Sequence, residues 1–336
     1  MSSPDVCPEL VLDWGPEMHV LVTGATGFVG RTLCGTLTRS GHVVRAAVRA
    51  DRVVRGAAAE TVSVGEIGAA TDWRSALRGI DCVIHLAARA HIPHDVSAND
   101  HLYAETNGRG TARLVEQAVE AGIRRFIYLS TVKVNGEGTT DRPYAATDEP
   151  RPQDAYGKSK LAGELAVLEA GRLALEVAIV RAPLVYGPGV RANFLRLMNW
   201  VDRQRPLPLA AVDNKRSMVS LWNLCDLLQN LLTNSGANGR VWMVSDGEDV
   251  STPELIRRIG SAMDRRVRLL PLPVAALQAL GVLCGRREEV TRLCSSLVID
   301  LTDTRAGLRW SPPLSMREGL ARTVAWYRSA GAPHVG

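Results

Sequence analysis

The sequence predicts an α/β protein built on a doubly wound parallel sheet, with a smaller α/β lobe towards the C-terminus. Three observations lead there. Apolar runs of strand length alternate with segments of helical spacing from Met18 to Arg181. Glycines stand at the junctions, where tight turns favour them. After Pro188 the alternation changes, and prolines cluster at 206 and 208, at 271 and 273, and at 312 and 313.

Each element can be justified in turn. Met18–Thr23 is an apolar run followed at once by glycines, and reads as a buried first strand. Phe28–Ser40 has helical spacing and stops at Gly41. Val43–Val48 is a second strand, Asp72–Leu77 a short helix and Asp81–Ala87 a further strand. Asn99–Ala121 reads as one long helix closed by Gly122. Arg125–Leu129 is a strand, Asp154–Ala170 a helix and Leu175–Arg181 a strand. Helical patterns follow over 192–203, 222–233, 253–263 and 274–284, separated by short strands such as Val241–Val244. The expected organisation is a tail over 1–17, a first domain over 18–188, and a smaller lobe over 189–330 that exchanges segments with the first.

Composition narrows the class. The 336 residues are 46% hydrophobic and 22% charged, with a mean hydropathy of −0.01. That is a globular composition and excludes a disordered chain. Forty basic residues against 35 acidic ones give +5, with no block of five like charges. A nucleic-acid binder concentrates its basic residues more strongly, whereas an acidic substrate such as a phosphate ester remains compatible. The cysteines at 7, 34, 82, 225, 284 and 294 form no CxxC and no Cys/His cluster of zinc spacing. They read as reduced structural thiols of a cytoplasmic protein without a metal site. Residues 1–17 carry four acids and no Lys or Arg, unlike a signal peptide. Leu269–Cys284 is the most apolar stretch, but its 16 residues fall short of the ~20 that a spanning helix needs. A buried helix is expected there.

The first chemical signal is Gly24-Ala25-Thr26-Gly27-Phe28-Val29-Gly30, between the first strand and the first helix. Glycines at this spacing let backbone approach a pyrophosphate, while the helix N-terminus offers N–H groups and partial positive charge. This makes the sheet Rossmann-type. The end of the second strand normally meets the adenine ribose, and an acid there selects NAD. Here that position holds Arg49, with no acid before Asp51. Arg49, assisted by Arg31, is suited to a 2′-phosphate, which favours NADP over NAD. Two surface arginines in an arginine-rich chain are the plain alternative.

The second signal is Tyr156-Gly-Lys-Ser-Lys160, which puts Tyr and Lys one helical turn apart on one face. A nearby ammonium, together with the positive nicotinamide, favours phenolate and should lower the tyrosine pKa from about 10. Ser130 and Thr131 end the preceding strand, where a hydroxyl can hold a substrate carbonyl. Asn107 lies within the long helix, and Ile84-His85-Leu86-Ala87-Ala88 ends another strand, where backbone can line a nicotinamide pocket. These positions fall at C-terminal strand edges, the usual ligand side of such sheets.

With these motifs and Arg181-Ala-Pro-Leu-Val-Tyr-Gly-Pro188 in this order, the chain resembles the extended short-chain dehydrogenases/reductases over about 18–330, within their nucleotide-sugar epimerase/dehydratase group. The resemblance implies Tyr156 as acid/base, Lys160 as its activator and nicotinamide-ribose anchor, and Thr131 as the hydroxyl on the reacting oxygen. It implies Glu66-Ile67 as the pair at adenine. The family's SxxVYG motif stands here as Thr131-Val-Lys-Val-Asn-Gly136, with Asn135 in place of Tyr. Ser130–Glu137, Arg216–Asp226 and Val244–Glu254 resemble a UDP-glucose 4-epimerase-like branch from bacterial polysaccharide pathways. That branch includes 4-keto-reductases making UDP-N-acetylquinovosamine. The likeness implies that Asn193 and Arg216 hold a diphosphate, and that the reaction is hydride transfer at C4 of a UDP-sugar. A 4-keto-reductase using NADPH leads, with a 4-epimerase retaining NAD as the alternative. A non-catalytic NAD(P)-binding sensor is a reading of another class, against which the intact Tyr–Lys pair argues. The family also implies a homodimer through helices 99–121 and 154–170, with Ala112, Val115 and Val119 shared between core and interface.

Overall fold

The computed structural model describes residues 17–49, 58–90, 100–173 and 175–329. Residues 1–16 of the expected tail, Asp51, Asn99 and the chain from 330 lie outside these. The described strands are β1 (His19–Thr23), β2 (Val43–Val48), β3 (Glu60–Ser63), β4 (Cys82–His85), β5 (Arg125–Thr131), β6 (Glu176–Ala182), β7 (Leu184–Tyr186), β8 (Arg216–Ser220), β9 (Arg240–Met243) and β10 (Asp249–Val250). A seven-stranded sheet runs β3-β2-β1-β4-β5-β6-β9, with every pairing parallel. β10-β8-β7 form a small second sheet. The large sheet is a Rossmann-like doubly wound α/β fold. Its order reverses between β1 and β4, where Thr23 lies opposite His85 at the C-terminal edge, the place where such sheets open a ligand crevice.

The helices are α1 (Phe28–Arg39), α2 (Arg74–Leu77), α3 (Asp100–Tyr103), α4 (Gly110–Glu120), α5 (Ala155–Gly171), α6 (Ala192–Asp202), α7 (Leu221–Thr233), α8 (Thr252–Ala262), α9 (Val274–Leu283), α10 (Arg287–Cys294), α11 (Thr302–Leu308) and α12 (Met316–Ser329). α7 starts where the Ser220 hydroxyl accepts from Asn223 N, a cap worth about 1 kcal/mol. Leu224, Leu227, Leu228 and Leu231 form its inner stripe, all fully buried. They pack in the same core as Leu33 and Leu37 of α1; each such side chain contributes roughly 1.5–3 kcal/mol. β7 opens the small sheet before Pro188, while α7 and β9 return from the second half to the large one. The smaller lobe has its own core, including Phe194, Met198, Ile256, Ile259, Met316 and Leu320.

Three features differ from the sequence reading. β3 extends the large sheet beyond β2 in a stretch where no strand was expected. The long helix expected from Asn99 to Ala121 is interrupted by a wide π turn at Ala104–Arg109 between α3 and α4. Asn107 sits in that turn, and its side chain is bound on both sides of the interruption's inner face, which favours the wider spacing. The apolar stretch Leu269–Cys284 is not a buried helix. α9 buries only Leu277 and Gly281, and Leu283 is 82% exposed. No described helix is long and apolar enough to cross a membrane.

α5 approaches the sheet through Gly163. A Cβ built there would collide with the Tyr128 hydroxyl and lie 2.7 Å from the Asn107 carbonyl oxygen. Gly163→Ala is therefore expected to destabilise the fold by roughly 1–3 kcal/mol, read as a lower urea midpoint at unchanged slope. A variant as stable as the parent would mean that α5 can shift freely on the sheet.

Candidate active site

The glycine loop forms a tight cradle between β1 and α1. Gly24 has φ +66°, and a Cβ there would lie 2.8 Å from Ala87 N. A Cβ on Gly30 would collide with the Gly24 carbonyl oxygen, and Gly27 N donates to that same oxygen at 2.8 Å. Gly27 caps α1 without any side-chain hydrogen bond, which leaves the first-turn N–H groups to an anion. Ala25 is buried, Thr26, Phe28 and Val29 are half-buried, and Arg31 lies exposed with Nε donating to the Thr26 carbonyl. These residues fit a dinucleotide: backbone approach is close only because the side chains are missing.

The opposite wall is the turn after β4. Leu86 N and Ala87 N donate to Thr23 Oγ1 at 3.2 and 3.1 Å. With that oxygen accepting twice, the Thr23 hydroxyl gives its own proton to His85 Nδ1 at 2.6 Å. His85 Nε2 then donates to Thr111 Oγ1 at 3.0 Å. Burial lowers the His85 pKa to about 3, with the Lys160 charge a second cause. A neutral imidazole thus ties both strands of the switch point to α4. Ala88 remains exposed at the end of this turn.

Asn107 is fully buried and joins three segments. Its Oδ1 accepts from Arg89 N at 2.8 Å, and its Nδ2 donates to the Arg89 carbonyl at 3.0 Å and to Ser159 Oγ at 2.9 Å. Ser159 Oγ in turn donates to the Tyr156 carbonyl at 2.7 Å. The structure gives Asn107 a positioning place, holding the turn after β4 to α5.

Asp154 begins α5 by accepting from Gly157 N at 2.6 Å. Lys133 binds Asp154 at 2.5 Å and Glu137 at 3.0 Å, so the segment after β5 is fastened to the start of α5. Thr131 Oγ1 accepts from Lys133 N and keeps its proton for another acceptor. Tyr156 is half-buried, with Tyr103 edge-on at 6.1 Å. In the protein alone, burial pushes the phenol up, helped by Asp154 and Tyr103; the expected lowering draws on the nicotinamide's positive charge as well as on Lys160. Lys160 is 1% exposed and lies 4.0 Å from the Tyr128 ring centre. Burial brings its ammonium down to about 7, against the opposing pull of Glu164.

Glu164 completes a stripe of 156, 160 and 164 on α5. It accepts from Ser130 Oγ at 2.5 Å and from Arg181 Nη2 at 2.6 Å, and Arg181 Nη1 donates to Asn135 Oδ1 at 3.2 Å. The Ser130 hydroxyl is therefore committed to this network. Asn135, standing where the family carries Tyr, holds Arg181 and the Ala145 carbonyl. The i, i+4, i+8 spacing was the available signal for Glu164; nothing local marked Tyr103 or Lys133.

The remaining predicted residues lie further out. Arg49 is 66% exposed and pairs with Glu66 at 3.7 Å, while Ile67 is buried under α4, where a Cβ on Gly110 would meet it. Asn193 is exposed on the first turn of α6 and accepts from Arg196. The same turn begins with Ala192 at φ +52° and has no side-chain cap. Arg216 donates from Nη1 to the carbonyls of Arg292 and Ser295 at 2.6 and 3.1 Å. Burial and the neighbouring Arg292 charge hold its guanidinium below the usual range. Among the described residues no group of His, Cys, Asp and Glu could hold a metal ion.

Fold and site together define a dinucleotide-dependent oxidoreductase with a Tyr–Lys pair at the carboxyl edge of its sheet. Comparison with known proteins agrees. The NAD dependent epimerase/dehydratase family model matches residues 20–244. A Vibrio cholerae protein named UDP-glucose 4-epimerase is 40% identical, with 93% of this chain and 96% of the relative covered. MoeE5, solved with UDP-glucose and NAD, superposes with a TM-score of 0.74 at 26% identity, covering 93% of this chain and 99% of that one. Bordetella bronchiseptica WbmG, solved with NAD, shares the fold with a TM-score of 0.75 at 20% identity, covering 96% and 97%. The chain belongs to the NAD dependent epimerase/dehydratase family, within the extended short-chain dehydrogenases/reductases, and is an enzyme of that class.

A pH dependence follows from His85. Unfolded, it takes up a proton near pH 6.5; folded, it stays neutral down to about 3. Its contribution to stability is fully present above about pH 6.5 and is lost as pH falls towards 3. Between pH 7 and 5 the loss amounts to about 2 kcal/mol. Urea titrations should show a smaller loss over this range in His85→Gln; equal slopes in both proteins would mean that His85 titrates normally.

Proposed function

We propose that the protein inverts C4 of a UDP-hexose by reversible hydride transfer, retaining NAD throughout, as a 4-epimerase. The observation that carries this reading is the Tyr156–Lys160 pair on α5, with Thr131 ending β5 and the glycine cradle following β1 at the same carboxyl edge of the sheet. A bound nicotinamide supplies the acceptor and donor of the hydride. Tyr156 takes the C4 hydroxyl proton and returns it, and Thr131 donates to the same oxygen. Because burial raises the phenol, ionising Tyr156 depends on nearby positive charge, which Lys160 supplies. Ribose hydroxyls are suitable acceptors for the Lys160 ammonium.

Arg216 and the start of α6 at Asn193 are the groups suited to the diphosphate. Arg292 adds a second positive charge close to Arg216, and a dianionic linker would relieve that like-charge pressure. The cofactor choice rests on Glu66: its carboxylate beside Arg49 disfavours a 2′-phosphate there. The name of the relative from Vibrio cholerae supports the epimerase reading, and the NAD bound in the solved MoeE5 structure supports NAD. A second reading, 4-keto-reduction from NADPH as in UDP-N-acetylquinovosamine synthesis, is favoured by the exposed Arg49 at the end of β2. For assembly, α4 and α5 suit a homodimer. Val115 is in the core, whereas Ala112 and Leu165 face outwards.

Interconversion of UDP-glucose and UDP-galactose, followed by proton NMR, tests the activity. Tyr156→Phe should lower turnover by roughly 10²–10⁴ with the fold intact; near-parental turnover would sink the mechanism, and no interconversion by the parent protein would remove the epimerase reading.

The cofactor readings separate on two measurements. Protein from gel filtration should carry NAD, and Arg49→Ala should change NADH and NADPH affinities alike, by less than about threefold. Cofactor-free protein, with a loss of about ten- to a hundredfold confined to NADPH, would instead establish the reductase reading.

A further inference from the structure

We propose that the face carrying α9 docks on an anionic phospholipid surface as a peripheral attachment. α9 has one polar residue among its ten, Gln278. Its inner side is satisfied: Leu277 joins the lobe core, and Val290 of α10 packs against Gly281. Its outer side is apolar as well. Leu280 is 50% exposed, Val282 56%, Leu283 82%, and Leu270 just before the helix 51%. A helix apolar on both sides is stable in water only when something covers it. Ten residues span about 15 Å, half the ~30 Å of a bilayer's hydrocarbon core. The helix can lie in an interface but cannot cross it.

Charge selects the occupant. Residues 255–287 hold seven arginines and one acid, Asp264, whereas the whole chain nets only +5. Glu254 precedes this stretch and Glu288 and Glu289 follow it, so the positive excess lies with the arginines nearest the helix. Arg266 and Arg268 before it and Arg286 and Arg287 after it are all exposed. Arg268 and Leu270 are two residues apart on an extended segment bonded to Leu207, so both point to the solvent side. On the other side of that segment Val267 and Leu269 join Arg257, Ser261 and Arg265 in lining a recess of about 480 Å³. Two of these guanidiniums already face acids, Arg265 with Asp202 and Arg257 with Glu254. A second copy is the poorer occupant. Two-fold pairing through α9 would bring one arginine-rich rim against another. A lipid surface instead takes leucines below the headgroups and arginines among them.

The test is flotation of the full chain with phosphatidylcholine vesicles, with and without phosphatidylglycerol. Binding is expected only on the anionic vesicles and should weaken with salt. The pair Leu280→Asp and Leu283→Asp should lower it at least about tenfold, as should Arg286→Glu with Arg287→Glu. Both variants should keep the parental melting temperature and UDP affinity, because the altered side chains are exposed and lie outside the site. Absence of flotation, equal flotation on both vesicle types, or unchanged binding by the leucine variant overturns the proposal. So does a leucine variant that turns an oligomer into monomers while the parent ignores vesicles, which would assign the face to self-association.

Discussion

Glu164 carries a carboxylate to a place that water does not reach. It is 1% exposed and accepts hydrogen bonds from Ser130 of β5 and, through both oxygens, from Arg181 of β6. Removing two such charges from water costs several kcal/mol per ion, and only near-complete pairing offsets it. α5 therefore has one low-energy seating on the sheet, with Gly163 allowing the close approach. Tyr156 and Lys160 stand on the same stripe of the helix, so their depth in the site follows from where Glu164 is held. Asn107 then fixes the other side of the cleft to the same helix through Ser159.

That seating has an electrostatic consequence. The low-polarity surroundings raise Tyr156 and lower Lys160, so both groups are pushed towards their neutral forms. Glu164 opposes this at Lys160. The site is consequently sensitive to any ligand that brings charge or hydrogen-bond acceptors to the ammonium. His85, neutral and bonded at both ring nitrogens, plays a different part: it shapes the turn that faces the glycines without contributing charge of its own.

The smaller lobe follows other constraints. Its core is continuous around α6, α8 and α12, and the end of α10 holds Arg216 through the backbone carbonyls of Arg292 and Ser295. α9 belongs to the same lobe but leaves much of its apolar surface in solvent. One lobe thus carries both the buried Arg216 and, on α9, an apolar surface rimmed by arginines.

The sequence by itself determined the parallel sheet, the glycine cradle and the Tyr–Lys pair. Each rests on local spacing: apolar runs of strand length, glycines at a turn, and two residues one helical turn apart. Most helix and strand bounds were legible for the same reason. The tertiary structure alone decided what depends on partners distant in the chain. Ser130 turns to Glu164, 34 positions away, and Arg49 meets Glu66 across a stretch with no readable periodicity. The π turn carries Asn107 to Arg89 and Ser159, partners which no helical pattern encodes. Composition marked Leu269–Cys284 as apolar and therefore as buried, yet burial depends on which surfaces the rest of the chain brings near. Here α10 and the lobe core pack against α9, and among the described residues its outer side stays exposed.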